Sequence, residues 1–563
     1  MRRLPIALIL TVLVVAAYTA VFVRLVWLRH ENFGSFDYDL GMYDQGIWQL
    51  AHGRGFMTIR GMHLFAHHAN LGYLLFVPAY WVGIGGPHLL NIANTLAVVS
   101  VSVPLFGLAR RHLRNDWVGL GFVIAYLLHF APQWKIQETF HPESFAAPML
   151  VGAFYYASIG HWRRFALCVA AALIWKEDVA LAVAVLGLAV GVLFRRPKVA
   201  VVTVAASVLW FVVATEVFMP AFSQTDAVYD GLFGPLGSSA TDVVKTSVRH
   251  PSRMLTTLDC HGAIDGQPKV SDGPIEGVWC PDEGTVESLD NTPIGMLDLA
   301  APYGVVPGIA NPFLTAIGTP QHVVNSATTV NFTWDLRWHY AMFPFIGVLL
   351  SAVWTVVTLL RMPRRWVRMG GWLMLATMLV GVVASHDRGV GPWSEAYDMG
   401  YWPLERTRFD DALRRVLDGI GDDEVVSTAY FVVPHVTHRE HIYTFPNPWR
   451  ASNYGIGGVP KPPDPSTVDV VILNRRRAQR IGGRAVRSDR RERRVGSGGP
   501  DLRRRRSHGA SSTGPLAPRM DRRRVRPERG DEVGDVAGVA RENVVADPRR
   551  ADHEVGVDDI GCT

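Results

Sequence analysis

Long apolar runs separated by short basic clusters are the feature that most constrains the fold of this chain. The first run, residues 4–27, is long enough to span a bilayer, and further runs cover residues 89–108, 339–360 and 371–384. The basic clusters between the runs are Arg110-Arg111-His112, Arg163-Arg164, Arg195-Arg196 and Arg364-Arg365. Such clusters mark the cytoplasmic ends of membrane helices. The pattern predicts an α-helical, multi-pass cell-membrane protein with about 9–11 transmembrane helices and a cytoplasmic N-terminus.

The predicted membrane domain covers residues 1–385 and contains two large outer loops, residues 28–70 and 221–295. The apolar stretch 71–82 is short for a span and predicts an interfacial or re-entrant helix. Prolines at positions 302, 307 and 312 interrupt the run 296–317. Proline breaks helices, so this run is either a hairpin of two poor spans or a re-entrant segment.

Two segments of different character follow the last apolar run. Residues 386–475 combine helical spacing over 404–417 with β-branched runs at 425–433 and 468–473, which predicts a small extracytoplasmic α/β appendage. The tail, residues 476–563, contains no Phe, Tyr, Trp or Lys. It cannot build a core, so it is either disordered or the translation of a wrong reading frame.

Composition and missing motifs exclude several classes of function. The net charge is +6, but the basic residues lie in the clusters beside apolar runs, so no nucleic-acid partner is expected. Neither a Walker A loop nor a dinucleotide-binding glycine motif is present. Of the four cysteines, only Cys260 and Cys280 share a predicted outer loop, where they are either a disulfide or two free thiols.

Acidic and histidine residues in the first outer loop are candidates for chemistry. Asp37, Asp39 and Asp44 follow the first apolar run, where they could bind a metal, act as a base, or belong to a solvated acidic loop. His63, His67 and His68 come later in the same loop, but without a zinc-type spacing. Polar contacts, including contacts to a lipid phosphate, are therefore the expected role of His68.

A second group of polar residues lies at predicted helix ends on the outer face. Charges so close to hydrocarbon are costly unless they pair or line a cavity. Two interpretations stay open: a structural network in which Lys176 pairs with a carboxylate, or a substrate cavity. Arg337 is a candidate for holding a phosphate. The group consists of His141, Glu143, Lys176, Glu177, Asp178, Arg337 and His339.

The order of these motifs resembles a family of bacterial membrane proteins called domain of unknown function 2079. The resemblance rests on Phe36-Asp37-Tyr38-Asp39-Leu40, Tyr43-Asp44-Gln45, His141-Pro142-Glu143 and Lys176-Glu177-Asp178. That family looks related to the GT-C glycosyltransferases, multi-span enzymes that take sugars from polyprenyl-phosphate carriers and place catalytic acids in the first outer loop. The resemblance implies a GT-C-like fold, with Asp37 and Asp39 as the catalytic residues. The family's usual Asp-His pair appears here as His67-His68, which argues against a metal site at that corner.

The leading hypothesis is a membrane glycosyltransferase that moves a sugar from a polyprenyl-phosphate donor to a cell-envelope glycan, lipid or protein. Substrate contacts are expected from Asp44, His68, His141, Glu143, Lys176, Glu177, Asp178, Arg337 and His339. The leaving phosphate would need a cation, either a divalent metal such as magnesium or manganese, or basic groups such as His68, Lys176 and Arg337. The alternatives are a transporter or lipid flippase without covalent chemistry, and an assembly protein whose outer domain binds a partner.

Overall fold

The structure is a computed structural model. It describes residues 6–225, 233, 236–251, 269–270, 279–280, 295–328, 333, 335–456, 458–473 and 538–540. Cys260, and with it the suggested disulfide, lies outside the described residues. The same holds for the tail 476–563, except for the strand at 538–540.

Helices dominate the described chain. Its α-helices are α1 (Ile6–Glu31), α2 (Met42–Ala51), α3 (Leu64–His67), α4 (Val77–Trp81), α5 (Pro87–Ser100), α6 (Ser102–Leu113), α7 (Asp116–Leu128), α8 (Phe130–Glu138), α9 (Pro142–Ser158), α10 (Trp162–Leu173), α11 (Val179–Leu193), α12 (Pro197–Val213), α13 (Met219–Phe222), α14 (Ala240–Arg249), α15 (Gly295–Ala300), α16 (Val306–Ile309), α17 (Pro312–Thr315), α18 (Thr319–Ala327), α19 (Met342–Leu360), α20 (Arg365–Ala384), α21 (Glu395–Asp398) and α22 (Arg408–Leu417). Its strands are β1 (Phe56–Met57), β2 (Met62–His63), β3 (Lys269–Val270), β4 (Trp279–Cys280), β5 (Val426–Thr428), β6 (Ile442–Thr444), β7 (Val470–Leu473) and β8 (Gly538–Ala540).

The prediction of a polytopic helical membrane protein is confirmed. Among the described residues, five helices are long and apolar enough to cross a bilayer: Ile6–Glu31, Pro87–Leu113, Pro197–Phe222, His339–Leu360 and Arg365–Ala384. This number is smaller than the 9–11 spans expected, because other apolar helices are shorter. For example, α9 has 17 residues and α10 has 12. At ~1.5 Å per residue these helices fall short of a ~30 Å hydrocarbon core.

The helix α19 lies at the centre of the bundle. In the most apolar part of the span that contains it, 78% of residues are buried, against 22% in the spans Ile6–Glu31, Pro197–Phe222 and Arg365–Ala384. It packs against α6, α9 and α20, and also against the short helices that precede it in the chain. The outer spans keep broad apolar faces uncovered, which suits contact with lipid.

The proline-rich run forms short helices and does not span the membrane within residues 295–328. Its helices α15, α16, α17 and α18 have 4–9 residues each. Proline occupies the first turn of α16, α17 and α18, where its missing N–H costs nothing, so each proline starts a new helix after a break. The short helices pack on α19. Within these residues the run therefore forms a series of short helices packed on α19 and no full-length span.

Beyond α20, the chain forms the small α/β unit expected from its pattern. Strand β5 pairs in parallel with β6 on one side and β7 on the other, and β8 pairs antiparallel with β7. Leu413 of α22 packs on Val426, Val470 and Ile472 of the sheet. A capping box at Thr407 and Asp410 starts α22.

This appendage contacts the first outer loop directly. The Thr58 hydroxyl donates to the backbone oxygen of Ile442 at 2.8 Å, and the backbone N–H of Asp37 donates to the oxygen of Tyr430 at 2.9 Å. The appendage therefore supports the loop that carries the predicted catalytic aspartates.

Candidate functional site

The candidate site lies where several membrane helices begin or end at the same side of the bundle. Helices α8 and α10 end there, and α9, α11 and α19 begin there. The basic clusters lie at the opposite ends of these helices, for example at the start of α10 and just after the end of α11. Because neighbouring helices are joined by short connections, residues far apart in sequence meet at this side.

Asp39 approaches the helix ends from the first outer loop. It lies in the distorted helical turn Asp37–Gly41 with φ 65° and ψ −76°. A non-glycine residue rarely adopts positive φ, so surrounding contacts must hold the turn. The Thr444 hydroxyl donates to Oδ2 of Asp37 at 2.6 Å and supplies one such contact. The Asp39 side chain keeps 21% exposure.

Two histidines and a glutamate form the centre of the site. His141 precedes α9, and its ring stacks on the ring of His339 with centroids 3.9 Å apart. Its Nε2 lies 3.2 Å from Oδ2 of Asp39 and 3.6 Å from Oε1 of Glu138. Nδ1 of His339 makes a 2.6 Å hydrogen bond with the same Oε1 of Glu138. Thr139, between Glu138 and His141, has φ 110°, a strained turn that brings both side chains to one place.

Lys176 forms a second buried network beside the first. Its Nζ lies 2.5 Å from Oε1 of Glu143 and 3.1 Å from Oδ2 of Asp178, and it lies 5.9 Å from the ring centroid of Tyr340. His339 Nε2 is 4.0 Å from Oε1 of Glu143, which connects the two networks. The pairing of Lys176 with carboxylates has the form that the structural-network interpretation expects.

Electrostatic coupling sets the charges of these groups. Burial opposes the imidazolium of His141, but Glu138 and Asp39 outweigh it and raise its pKa to about 9. Burial alone would raise the pKa of Asp39, yet the neighbouring His141 lowers it below its usual value. Burial also opposes the Lys176 ammonium, but Asp178 and Glu143 raise its pKa well above the ordinary value. In the absence of a bound ligand, these groups are therefore ionised at neutral pH.

Six of the residues singled out in the sequence come together in these two networks: Asp39, His141, Glu143, Lys176, Asp178 and His339. Glu177 lies behind them, where it binds Nδ1 of His68 at 2.9 Å and accepts a 3.1 Å hydrogen bond from the Ala69 N–H. His68 therefore helps to hold the side chain of Glu177 in place behind the two networks.

Three other predicted residues are engaged elsewhere. Asp37 accepts its hydrogen bond from the appendage, as described above. Asp44 accepts a 2.6 Å hydrogen bond from the Tyr80 hydroxyl and lies 3.2 Å from Nε2 of His438, so it joins α4 to the appendage. Arg337 makes hydrogen bonds of 2.8 and 2.6 Å to Oδ2 of the nearby Asp335. The carboxylate of Asp335 thus neutralises the positive charge that was expected to bind a phosphate.

Sequence reasoning missed Glu138 and Lys135. Lys135 Nζ donates to the Arg337 backbone oxygen at 2.9 Å and lies 3.9 Å from Oε2 of Glu138. A usable signal was present, because Glu138 precedes His141 by three residues across a predicted turn between apolar runs. On a helix that spacing would place the two side chains on one face.

The central group has the composition of a metal-ligand set. One ligand atom from each of Glu138, His141 and His339 lies within 4.8 Å of the others. Within the described chain, no such group of three forms at the His63, His67 and His68 corner. The site thus combines a part-exposed carboxylate, a possible metal-binding triad and a buried lysine at one end of a membrane bundle.

Comparison with known proteins finds a family model that matches the N-terminal part of the chain. Residues 29–264 match the family model described as predicted membrane protein (DUF2079), which confirms the resemblance seen in the motifs. No curated protein matches the chain.

Two solved structures match the chain at low sequence identity. One is ArnT from Cupriavidus metallidurans bound to undecaprenyl phosphate, with 12% identity and a TM-score of 0.41. The other is the same protein in the apo state, with 13% identity and a TM-score of 0.45. Each match covers 85% of this chain and 94% of the other.

Proposed function

Taking residues 29–264 as a membrane domain of the DUF2079 family, we propose that this protein is a GT-C-type glycosyltransferase. It transfers a sugar from a polyprenyl-phosphate donor to a cell-envelope acceptor at the outer face of the membrane. One observation carries the proposal: the part-exposed carboxylate of Asp39 lies over a buried cluster of titratable groups at the ends of membrane helices. That is the depth at which a lipid headgroup lies.

The distribution of charge supports the orientation. The arginine clusters all lie at the ends of the bundle away from the site, and such clusters stay in the cytoplasm. The site and the appendage then face outward. Because α1 ends at Glu31 on the site side, its start and the N-terminus lie in the cytoplasm.

Asp39 is the proposed general base. It is 21% exposed at the side chain, whereas the side chains of His141 and Glu143 are 1% and 4% exposed, so it is the carboxylate within reach of an acceptor. It removes the proton of the acceptor hydroxyl while that oxygen attacks the anomeric carbon of the donor sugar. The bond between the anomeric carbon and the phosphate oxygen breaks, and the electron pair leaves with the lipid phosphate.

Asp37 takes a positioning role in this scheme. Its carboxylate is held by Thr444 of the appendage, and its backbone N–H is bound by the oxygen of Tyr430. Both contacts fix the turn that aims Asp39 at the helix ends. The appendage thereby contributes to catalysis without touching the reacting atoms.

The departing lipid phosphate gains one negative charge and needs a cation close by. Lys176 and the imidazolium of His141 are the nearest basic groups of the cluster. The cofactor expected for this role is a divalent metal, for which the Glu138, His141 and His339 set is the candidate site.

A transfer assay tests the proposal. Purified protein in lipid vesicles receives a panel of radiolabelled polyprenyl-phosphate sugars together with crude cell-envelope acceptors. The key variant is Asp39→Asn, which we expect to lower transfer by about 100-fold or more, because a positioned base contributes about 10²–10⁴-fold. Asp116→Asn is the matched control, since Asp116 pairs with Arg110 at 3.7 Å at the opposite end of the bundle.

Normal transfer by the Asp39→Asn protein would remove Asp39 as the base. Absence of transfer with every donor, despite folded protein and a usable acceptor pool, would overturn the enzyme proposal. In that case, movement of the labelled lipid between leaflets would indicate the flippase alternative.

A further inference from the structure

The three residues Glu138, His141 and His339 are held in place by separate rigid elements. Glu138 is the last residue of α8, His141 directly precedes α9, and His339 begins the short helical turn that leads into α19. All three are buried, with relative exposures of 8%, 1% and 8%. Ligands on fixed elements can bind a metal without the loss of conformational entropy that ordering a loop would cost.

Buried polar atoms in this cluster lack hydrogen bonds. Nε2 of His141, Oε2 of Glu138 and Oε2 of Glu143 make none within the described structure. An unpaired buried polar atom costs about 1–3 kcal/mol, and more when it is charged. A cation bound here would satisfy Nε2 of His141 directly.

The hydrogen bonding of His141 favours metal ligation through Nε2. Its other nitrogen, Nδ1, lies 3.3 Å from the backbone oxygen of Thr139, to which it can donate a proton. Ligating histidines in metalloproteins commonly make such a bond, which fixes the tautomer and turns the second nitrogen to the metal. That second nitrogen of His141 faces Glu138 and Asp39.

The excess of negative charge around the triad also favours binding of a cation. Five carboxylates lie in the two networks and their flank, against three cationic groups, Lys135, Lys176 and the imidazolium of His141: Asp39, Glu138, Glu143, Glu177 and Asp178. An incoming lipid phosphate would add further negative charge to this site. A divalent cation offsets that repulsion.

We propose that Glu138, His141 and His339 bind one divalent metal ion of the zinc class. Two imidazoles and one carboxylate are the ligands of zinc and of neighbouring transition metals, whereas magnesium prefers oxygen ligands alone. Three protein ligands leave a fourth position open, and it borders Asp39 because Nε2 of His141 lies 3.2 Å from that carboxylate. This position is assigned to an oxygen of the donor's phosphate, and that assignment rests on the proposed function.

Binding replaces contacts that exist without the ion. The 2.6 Å hydrogen bond between Glu138 and His339 gives way to two bonds to the metal. Bond lengths of ~2.0–2.2 Å in a tetrahedral site require these two ligand atoms to separate by under an ångström. Oε1 of Glu143, 4.0 Å from Nε2 of His339, then orients that ring from behind.

Metal content and cobalt spectroscopy test the site without relying on activity. Protein stripped with a chelator is titrated with Zn²⁺ or Co²⁺ while excess Mg²⁺ is present. We expect saturable binding of about one equivalent, and with Co²⁺ a visible absorption of tetrahedral type. Glu138→Gln keeps the shape of the side chain and His339→Asn replaces the imidazole with a smaller polar group, and both should weaken binding at least tenfold. His112→Asn is the matched control, since His112 binds Ser158 at the other end of the bundle.

Lack of saturable Zn²⁺ or Co²⁺ binding by the wild-type protein overturns the site, as does full binding by both ligand variants. Because the decisive measurement is on the wild type, the test does not depend on the variants folding. A polyprenyl phosphate should alter the cobalt spectrum, and inorganic phosphate is the comparison that tells the headgroup from the whole lipid. An unaltered spectrum with both would overturn the assignment of the fourth position.

The two proposals fail in different ways. Metal binding without sugar transfer would remove the proposed function and leave the metal site. Transfer by fully metal-free protein would remove the metal site from the reaction and leave the glycosyltransferase.

Discussion

Oδ2 of Asp39 lies 3.2 Å from Nε2 of His141, although one residue belongs to the first outer loop and the other to the start of a membrane helix. The contact depends on the appendage, because Thr444 and Tyr430 hold the loop in position through Asp37. The first outer loop, the start of α9 and the appendage are thus linked through Asp39 and the nearby Asp37. The predictions below test that dependence, the buried networks and the packing beneath them.

Removing the appendage's hold on Asp37 should impair transfer without abolishing it. Thr444→Val deletes the hydroxyl that donates to the Asp37 carboxylate at 2.6 Å. A hydrogen bond to a charged group is worth about 1.5–3 kcal/mol, so we expect transfer to fall roughly tenfold or more. The fall should be in kcat, with little change in the KM for the donor, since Asp37 does not touch substrate.

Thr467→Val is the control for this change, because the Thr467 hydroxyl binds only a local backbone oxygen of Asp464 in the same appendage. Equal activity of the two valine variants would show that Thr444 has no positioning role.

Lys176 should stabilise the folded protein through its buried carboxylate partners. Lys176→Met leaves Glu143 and Asp178 without their cation and should lower the free energy of unfolding by about 3–5 kcal/mol. Adding Glu143→Gln should recover part of the loss, since one unpaired buried charge is then removed. Thermal unfolding of both variants in detergent measures the difference. A double variant no more stable than Lys176→Met alone would contradict the pairing.

The packing of the proline-rich segment 295–328 on α20 can be tested at a glycine. A Cβ added at Gly381 would lie 2.1 Å from the backbone oxygen of Pro302, so Gly381→Ala should lower the melting temperature by several degrees. On the same helix, a Cβ at Gly370 meets nothing within 4 Å. Gly370→Ala should therefore be neutral or slightly stabilising. Similar melting temperatures for the two variants would mean that the proline-rich segment does not pack against α20 at Gly381.

Cysteine labelling tests the orientation of the bundle. In a background with all four native cysteines replaced by serine, Asn453→Cys should react with a membrane-impermeant maleimide in intact cells. Arg364→Cys should react only after the cells are permeabilised, because basic clusters stay in the cytoplasm. Both positions are exposed, so accessibility within the protein does not limit either reaction. The reverse labelling pattern would invert the topology and place the site in the cytoplasm.

Much of the architecture could be predicted because its signals are local. The apolar residues of a helix such as Ile6–Glu31 are contiguous in sequence, so they indicate a membrane helix without knowledge of its neighbours. Runs of β-branched residues likewise mark strands such as Val470–Leu473. The number of independent spans was harder to predict. Helices such as α10, with 12 residues, were counted among the predicted spans, yet they are too short to cross the hydrocarbon core and pack on their neighbours.

The candidate site could be predicted only in part. His141, Glu143 and Lys176 stood out because charge beside apolar runs is costly. Asp44 and Arg337 stood out for the same reason, yet each is engaged by a separate partner. Nothing in sequence distinguishes a charge that is compensated by a neighbour from one that faces a cavity, since both have the same residue type and the same flanking residues.

The amino-acid sequence by itself determined which segments are apolar enough to enter a membrane, where the basic clusters lie between them, and which motifs resemble those of the matched family model. These properties follow from the hydrophobicity and charge of contiguous residues. Only the tertiary structure decided that Glu138 completes a group with His141 and His339, and that Asp39 rather than Asp37 borders it. Those contacts join separate helix ends and loops, and their distances depend on how the helices and the appendage pack together.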